Sequence, residues 1–140
     1  MEESFYTSPK VSPQIMQGLI KKNNQTALVR FILMYSLFLS MGIGIVWTWD
    51  QSIFLWLSFT LGFGMLMCSL FACQHESIHN TAFKSRRLNQ LAAFITGISY
   101  VYPSTIFKEL HFAHHRHTHE PGLDPEISLG GKPLQSVISN

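Results

Sequence analysis

Two long apolar runs separated by a short polar link dominate the hydrophobic pattern of this chain of 140 residues. The runs cover 31–49 and 53–74, and each has about the twenty residues that cross the hydrocarbon core of a bilayer. Neither run has a polar face, and a chain of this length could hardly surround two buried helices with its other residues. The pattern therefore predicts two transmembrane helices in preference to the core of a soluble domain.

The link between the runs, Asp50-Gln51-Ser52, leaves room only for a tight turn, so we expect the two helices to form an antiparallel hairpin. Asp50 is the only Asp, Glu, Lys, Arg or His residue between Phe31 and Gln74. Charged residues make up 13% of the whole chain, against roughly 25% in soluble domains. The hairpin accounts for this shortage of charge.

Every lysine and arginine lies outside the hairpin. They are Lys10, Lys21, Lys22 and Arg30 before it, and Lys84, Arg86, Arg87, Lys108, Arg116 and Lys132 after it. Because cytoplasmic flanks of membrane helices are enriched in these residues, both ends of the hairpin are expected on the cytoplasmic side, with 1–30 as a cytoplasmic lead. The net charge of +2 thus reflects topology and does not indicate a nucleic-acid partner.

A third apolar stretch, 91–107, determines whether the histidines on either side of it can meet. If this stretch crossed the bilayer, its two ends would lie about 30 Å apart on opposite faces. It contains several hydroxyl-bearing residues and Pro103, which make it a poor transmembrane span. We therefore expect an interfacial or re-entrant segment that returns the chain to the cytoplasmic side.

All seven histidines lie between His75 and His119, and five of them form two boxes that each follow an apolar stretch. In the first box, His75 and His79 are four residues apart, so on a helix they share one face. The second box, His111-Phe112-Ala113-His114-His115, has spacings of three and four residues and places its histidines in the same way. Five imidazoles exceed what one tetrahedral zinc ion accepts, but they suit a centre of two iron ions.

Two other interpretations remain open for the first box. The string His75-Glu76-Ser77-Ile78-His79 matches the HExxH pattern of zinc metalloproteases, in which the glutamate activates water. That interpretation leaves the second box unexplained. A membrane fragment that binds metal without catalysis is the other possibility. If the boxes hold a redox centre, Glu76 either orients an imidazole or has no role.

The strings HESIHN at 75–80 and HFAHHRHTHEPGLDPE at 111–126 resemble the first and second histidine boxes of the membrane fatty acid desaturase superfamily. The resemblance covers about 31–126, with Thr118 and Asp124-Pro125 downstream of the second box. It implies a non-haem di-iron oxidoreductase that uses oxygen to remove hydrogen from an unactivated C–H bond of a lipid acyl chain. It also implies an electron donor of the ferredoxin or cytochrome type.

The resemblance assigns the iron ligands position by position. They are His75, His79, His111, His114 and His115. His117 and His119 have no place in the family pattern and are interpreted as spectators, although a continued helix would stack His119 on His115. Asp124 and Glu126 either hold ligand imidazoles or belong to a turn, which the Pro-Gly and Asp-Pro pairs favour. Carotenoid hydroxylases and ketolases carry the same boxes and are the alternative within the superfamily.

The family pattern includes a third histidine box after a further pair of spans, and no histidine follows His119. We therefore expect 127–140 to be the tail of a truncated product that is inactive by itself, with ligands supplied by a second chain as the alternative. The predicted fold is an all-helical integral membrane domain over 31–126. It consists of a transmembrane hairpin, an interfacial or re-entrant helix and cytoplasmic histidine-box helices.

Overall fold

The computed structural model describes residues 11–127 and is all-helical, with no strand among those residues. The helices whose bounds lie within this range are α1 (Pro13–Leu19), α2 (Asn24–Thr48), α3 (Ile53–Ile78), α4 (Arg86–Ser99) and α5 (Ser104–His117). Helix α2 packs against α3, and α3 also packs against α4 and α5. The all-helical prediction is confirmed, and α3 is the helix against which α2, α4 and α5 pack. The expected tail from residue 128 onward lies outside the described residues.

Both predicted spans are helices, and both are longer than the apolar runs that predicted them. Helix α2 begins ahead of its run because the Asn23 side chain accepts hydrogen bonds from the amides of Gln25 and Thr26 and so caps the first turn. Helix α3 continues past the end of its run to Ile78. With 25 and 26 residues, the two helices are about 38 Å long, which exceeds the roughly 30 Å of hydrocarbon core.

The surfaces of α2 and α3 suit a lipid environment. The most apolar part of each helix has a mean hydropathy of 1.9, and only 11% and 6% of these parts is buried within the structure. The core helices of a soluble protein would instead be mostly buried. Within 11–127, these are the two helices that are long and apolar enough to cross a membrane.

The two long helices approach closely where glycines of α2 face aromatic rings of α3. A Cβ atom added to Gly44 would lie 2.3 Å from the Phe59 ring, and one added to Gly42 would lie 3.3 Å from the Phe63 ring. Phe63 also stacks on Phe38, with ring centroids 4.6 Å apart. No two of these glycines are four residues apart, but Gly44 lies four residues from Ser40 and from Thr48, which is the small-xxx-small spacing typical of close helix contacts.

The structure divides the stretch 91–107 between two helices, so the expectation of a single interfacial or re-entrant helix needs correction, and the interfacial or re-entrant placement of the segment remains a prediction. Helix α4 ends at Ser99, and Pro103, which has no backbone N–H to donate, immediately precedes α5. Each of these helices has 14 residues and is about 21 Å long, too short to cross a bilayer. The two histidine boxes are therefore not separated by a third span.

A buried amide fixes the turn between α4 and α5 against α3. The side chain of Gln74 is completely buried, donates to the carbonyl oxygen of Tyr102 (3.1 Å) and accepts from the hydroxyl of Tyr100 (2.7 Å). Burial raises the pKa of Tyr100 to about 12, so this hydroxyl keeps its proton and remains a donor. Gly97 allows the close approach, because a Cβ atom there would lie 2.9 Å from Nε2 of Gln74. The start of α5 is thereby held beside the end of α3.

Gly44→Ala is expected to destabilise the hairpin, because the added methyl group would collide with the Cδ1, Cε1 and Cγ atoms of the Phe59 ring. Overpacking of this kind costs roughly 1–3 kcal/mol, which should lower the midpoint of thermal unfolding in detergent. The matched control is Gly64→Ala, whose Cβ atom meets no heavy atom within 4 Å. The thermal midpoint of this control should equal or exceed that of the native protein, because alanine has a higher helix propensity than glycine. Equal midpoints for the two variants would contradict the close contact.

Candidate metal centre

The first histidine box lies at the end of α3, beyond the apolar run. His75 lies in the last turn, and His79 caps the helix with its amide bonded to the carbonyl oxygen of His75 (3.3 Å). The two rings lie on one face, as the spacing predicts, with centroids 4.8 Å apart. The chain leaves the helix at Asn80, which has a left-handed backbone with φ 57°.

Helix α5 carries the second box and places it opposite the first. Phe107 is buried in the small core formed by α3, α4 and α5, and its ring lies 6.4 Å from the ring of His75. His111 follows Phe107 by about one helical turn, and His115 follows His111 by another. Their rings therefore project from the same side of α5, towards the end of α3.

Four imidazoles from the two boxes converge on one point. The Nε2 atom of His111 lies 2.9 Å from Nε2 of His75 and 3.0 Å from Nε2 of His79. The Nε2 atom of His115 lies 2.9 Å from the same atom of His111. One ligand atom from each of the four residues lies within 4.8 Å of the other three. We call this group the four-histidine cluster.

Protons alone cannot satisfy these contacts. An imidazole Nε2 atom has either one proton or one lone pair, so Nε2 of His111 can form one good hydrogen bond, whereas three nitrogens surround it. A metal ion among the four nitrogens removes the conflict, because each neutral imidazole then directs its lone pair at the ion. With bonds of about 2.1 Å, neighbouring nitrogens around a metal lie roughly 3 Å apart, which is close to the separations found. The donor set therefore fits a metal ion.

The electrostatics favour the neutral form, which binds metal, at His79 and His111. Burial lowers the pKa of His79, and the nearby imidazoles of His75 and His115 lower it further. Burial and the same neighbours, together with His79, lower the pKa of His111. Both rings therefore stay unprotonated to a lower pH than an isolated histidine.

His114, the remaining residue of the predicted ligand set, lies apart from the four-histidine cluster. Its ring centroid is 6.1 Å from that of His111 and 5.8 Å from that of His115. The Nδ1 atom of His114 lies 3.0 Å from both carboxylate oxygens of Asp124, and this hydrogen bond raises the pKa of His114. With Nδ1 donating to Asp124, Nε2 of His114 is the nitrogen left to face a metal.

Asp124 is completely buried and accepts three sets of hydrogen bonds. In addition to the bond from His114, it accepts from the amides of His119 and Glu126, each at 2.9 Å. Burial opposes ionisation, but these hydrogen bonds outweigh it and lower the pKa of Asp124 to about 2. The chain also turns just before Asp124, where Gly122 has φ 85°. The two alternatives for Asp124, a turn and contact with an imidazole, therefore occur together.

The helix ends before it can align the last two histidines. Helix α5 stops at His117, and His119 follows with φ 65°, so the idea of a continued helix that stacks His119 on His115 is wrong. His117 contacts Glu120 (Nδ1 to Oε2, 3.3 Å) and, like His119, lies outside the four-histidine cluster. Their interpretation as spectators remains a prediction.

Glu76 lies beside the cluster and is held by its own turn. Its carboxylate accepts a hydrogen bond from the hydroxyl of Thr81, and Oε1 lies 3.7 Å from Nδ1 of His75. Glu126 is placed similarly on the other side, with Oε1 3.6 Å from Nδ1 of His111. Both distances are longer than a direct hydrogen bond. The two carboxylates therefore lie on the Nδ1 side of His75 and His111, while the Nε2 atoms of these rings point into the cluster.

Comparison with known proteins identifies the family of the segment that carries the two boxes. The profile of the family "Fatty acid desaturase" matches residues 50–138, which is more than half of the chain and includes both boxes and Asp124. The chain belongs to the fatty acid desaturase family. It is thus a member of the membrane desaturase and hydroxylase superfamily that its histidine boxes resemble.

One curated relative has a more specific name. The chain is 32% identical over 71 residues to a zeaxanthin 4-ketolase of Chlamydomonas reinhardtii. This match covers 49% of the present chain and 16% of the ketolase, so the chain spans a small part of that relative. No solved structure matches the chain.

Asp124→Asn is expected to loosen the segment after α5, because an amide cannot accept from three donors as a carboxylate does. Amide hydrogen exchange over 118–127, measured by mass spectrometry, should be faster by about tenfold, the effect of one lost hydrogen bond to a charged acceptor. Glu120→Gln is the control, because Glu120 is exposed and, among residues 11–127, its carboxylate has a polar contact with His117 alone. If both variants exchange like the native protein, Asp124 does not organise this turn.

Proposed function

We propose that this protein is an oxygen-dependent, non-haem di-iron oxidoreductase that acts on membrane lipids. The observation that carries the proposal is the convergence of four Nε2 atoms from both histidine boxes in a member of the fatty acid desaturase family. A zinc protease site built on His75, Glu76 and His79 would use the first box alone. Here the second box contributes equally, through His111 and His115.

In this proposal, the four-histidine cluster holds one iron ion. His114, kept in a single orientation by Asp124, is a ligand of the second iron. When bound, the two irons supply the redox chemistry with which oxygen removes hydrogen from an unactivated C–H bond. Burial and the neighbouring rings keep His79 and His111 neutral, and Phe107 and the buried Gln74 contact hold the second box against the first.

The substrate in this proposal is a lipid acyl chain, and the electrons come from a donor of the ferredoxin or cytochrome type. The placement of the site supports a lipid substrate, because His75 directly follows the apolar run that ends at Gln74. A substrate held among the helices would thus need to leave the hydrocarbon by only a few ångströms. Oxidation of a carotenoid is the second candidate, which the relative named zeaxanthin 4-ketolase favours.

Both boxes are proposed to face the cytoplasm, because the lysines and arginines flank the hairpin on its open side. Reporter fusions at Gln51, between the two spans, and after Asn140 should therefore report opposite sides of the membrane. A fusion after Lys10 is the control and should agree with the one after Asn140. If Gln51 and Asn140 report the same side, the hairpin and the shared metal centre are both wrong.

His111→Ala should abolish metal binding at the cluster, because Nε2 of His111 neighbours the other three nitrogens. Elemental analysis of the product of the complete gene, with the third histidine box present and purified in detergent, should find about two irons per chain, and at least one iron fewer in this variant. The matched control is His117→Ala on the same helix, which should keep its iron. One zinc and no iron in the native protein would instead support the protease.

The product assay separates the two lipid candidates. The complete gene would be expressed in a host supplied with carotenoid, followed by gas chromatography of fatty acids and liquid chromatography of carotenoids. A new double bond in an acyl chain supports the desaturase, and a new keto or hydroxyl group on the carotenoid supports the alternative. His111→Ala and His115→Ala should lose either product. If neither product forms from the iron-loaded native protein, the lipid proposal is wrong.

A further inference from the structure

Helix α1 has one apolar side and one polar side. With about 100° between successive residues, four apolar side chains fall within an arc of about 140° around the helix axis. They are Ile15, Met16, Leu19 and Ile20, the last of which caps the helix. Gln14 and Gln17 lie on the remaining surface. This pattern is typical of an amphipathic helix that rests its apolar side on an apolar surface.

The described residues leave the apolar side of α1 uncovered. Its four side chains are between 44% and 74% exposed, and no residue of α1 is buried. A helix of seven residues without packing is unstable in water, because its few hydrogen bonds do not offset the entropy lost in ordering the chain. Ser12 caps the first turn and Pro13 fits the first helical position, but both stabilise only the start. The helix therefore needs an apolar partner that residues 11–127 do not supply.

The segment after α1 is fixed close to the level at which the membrane begins. Nζ of Lys22 donates to the carbonyl oxygen of Asn80 (2.7 Å), and the side chain of Asn24 accepts from the amide of Ser85 (2.9 Å). Both contacts tie this segment to the loop after the first histidine box. Asn24 begins α2, and seven residues, or roughly 10 Å of helix, separate it from the apolar run that starts at Phe31. Helix α1 is thus held near the lipid head groups, where interfacial helices lie.

The chain around α1 is positively charged. Residues 11–30 include three cationic side chains and no Asp or Glu. The cations are Lys21, Lys22 and Arg30, and none of them belongs to an ion pair among residues 11–127. Leu19 and Ile20 line one cleft together with these cations. Apolar and cationic groups are presented side by side, which matches the acyl chains and the head groups of an anionic lipid surface.

A second copy of this chain is a poorer match for the same surface. Two such segments in contact would bring together three positive charges from each copy, and like charges oppose association. The apolar side of α1 has only four side chains, whereas each partner in a stable interface buries roughly 800 Å². A bilayer needs no comparable area, because the long apolar helices α2 and α3 already place α1 beside it.

We propose that α1 is an interfacial anchor that lies in the head-group layer of an anionic bilayer, with its apolar side towards the acyl chains. The surface it occupies is the one next to the metal centre, since the segment after α1 contacts the loop that follows the first histidine box. Through Lys22 and Asn24, the anchor holds this loop at the membrane surface. Its role is the same whichever metal the cluster binds and whichever side of the membrane is cytoplasmic.

Hydrogen exchange of the full chain in lipid nanodiscs tests the anchor. The chain would be reconstituted at one copy per disc, in phosphatidylcholine alone or with about one third phosphatidylglycerol. Exchange of the amides of 14–20 is then followed by mass spectrometry. Exchange should be slow in the anionic discs and about fivefold faster in the neutral discs, because anionic lipid attracts each nearby lysine. Lys21→Gln should remove most of this difference.

A pair of substitutions on opposite sides of α1 supplies the matched control. Leu19→Gln should raise the exchange rate over 14–20 by about tenfold in the anionic discs, because its side chain no longer enters the apolar layer. Gln17→Ala changes the polar side and should exchange at the native rate or more slowly, since alanine favours the helix.

Several results would overturn the anchor. One is exchange at the rate of an unfolded segment in both kinds of disc, and another is equal exchange of the Leu19 and Gln17 variants. Equal protection in the two kinds of disc would overturn it as well, since lipid charge would then have no role. Protection that appears only with two copies per disc would assign the apolar side to a second copy. His111→Ala should exchange like the native chain over 14–20, which separates this result from the metal centre.

Discussion

The seating of α5 on the end of α3 is the constraint on which the candidate site depends, because each helix contributes two of the four converging imidazoles. The contact is small, so its few buried groups matter greatly. Phe107 fills the apolar gap one turn before the second box, and the Gln74 amide fixes the preceding turn through Tyr100 and Tyr102. A buried amide left without these partners would cost free energy, so this turn has one favoured position.

The histidines divide into two electrostatic environments within one short helix. His111 lies among other imidazoles, where burial and mutual repulsion keep it neutral. His114, three residues later, lies against the Asp124 carboxylate, which stabilises its protonated form and fixes its Nδ1 as a donor. The lowered pKa of His111, like that of His79, leaves these two rings free to bind a cation without first losing a proton. The ring of His114 is instead preorganised by a fixed negative charge.

Much of this arrangement could be predicted from periodicity. The two apolar runs, the hairpin and the shared face of His75 and His79 follow from residue spacing alone. The ends of the helices could not be predicted from residue spacing, because caps and turns determine them, as at Asn23 and at His119. The break within 91–107 had a local signal in Pro103. The contacts of Gln74 with the turn between α4 and α5 had only a weak sequence signal, which is a single amide side chain at the end of an apolar run.

Helix α3 runs without interruption from the membrane turn to His75. The apolar part of α3 and the histidines at its end are thus connected by one continuous helix, in which each residue contributes about 1.5 Å of rise and 100° of rotation. Inserting or deleting a single residue between Ile53 and Gln74 would hardly change how deep the histidines lie. It would turn His75 and His79 away from α5 by more than a quarter of a revolution. The number of residues in α3 is therefore constrained by the direction in which His75 and His79 must face. The thickness of the bilayer does not impose this constraint.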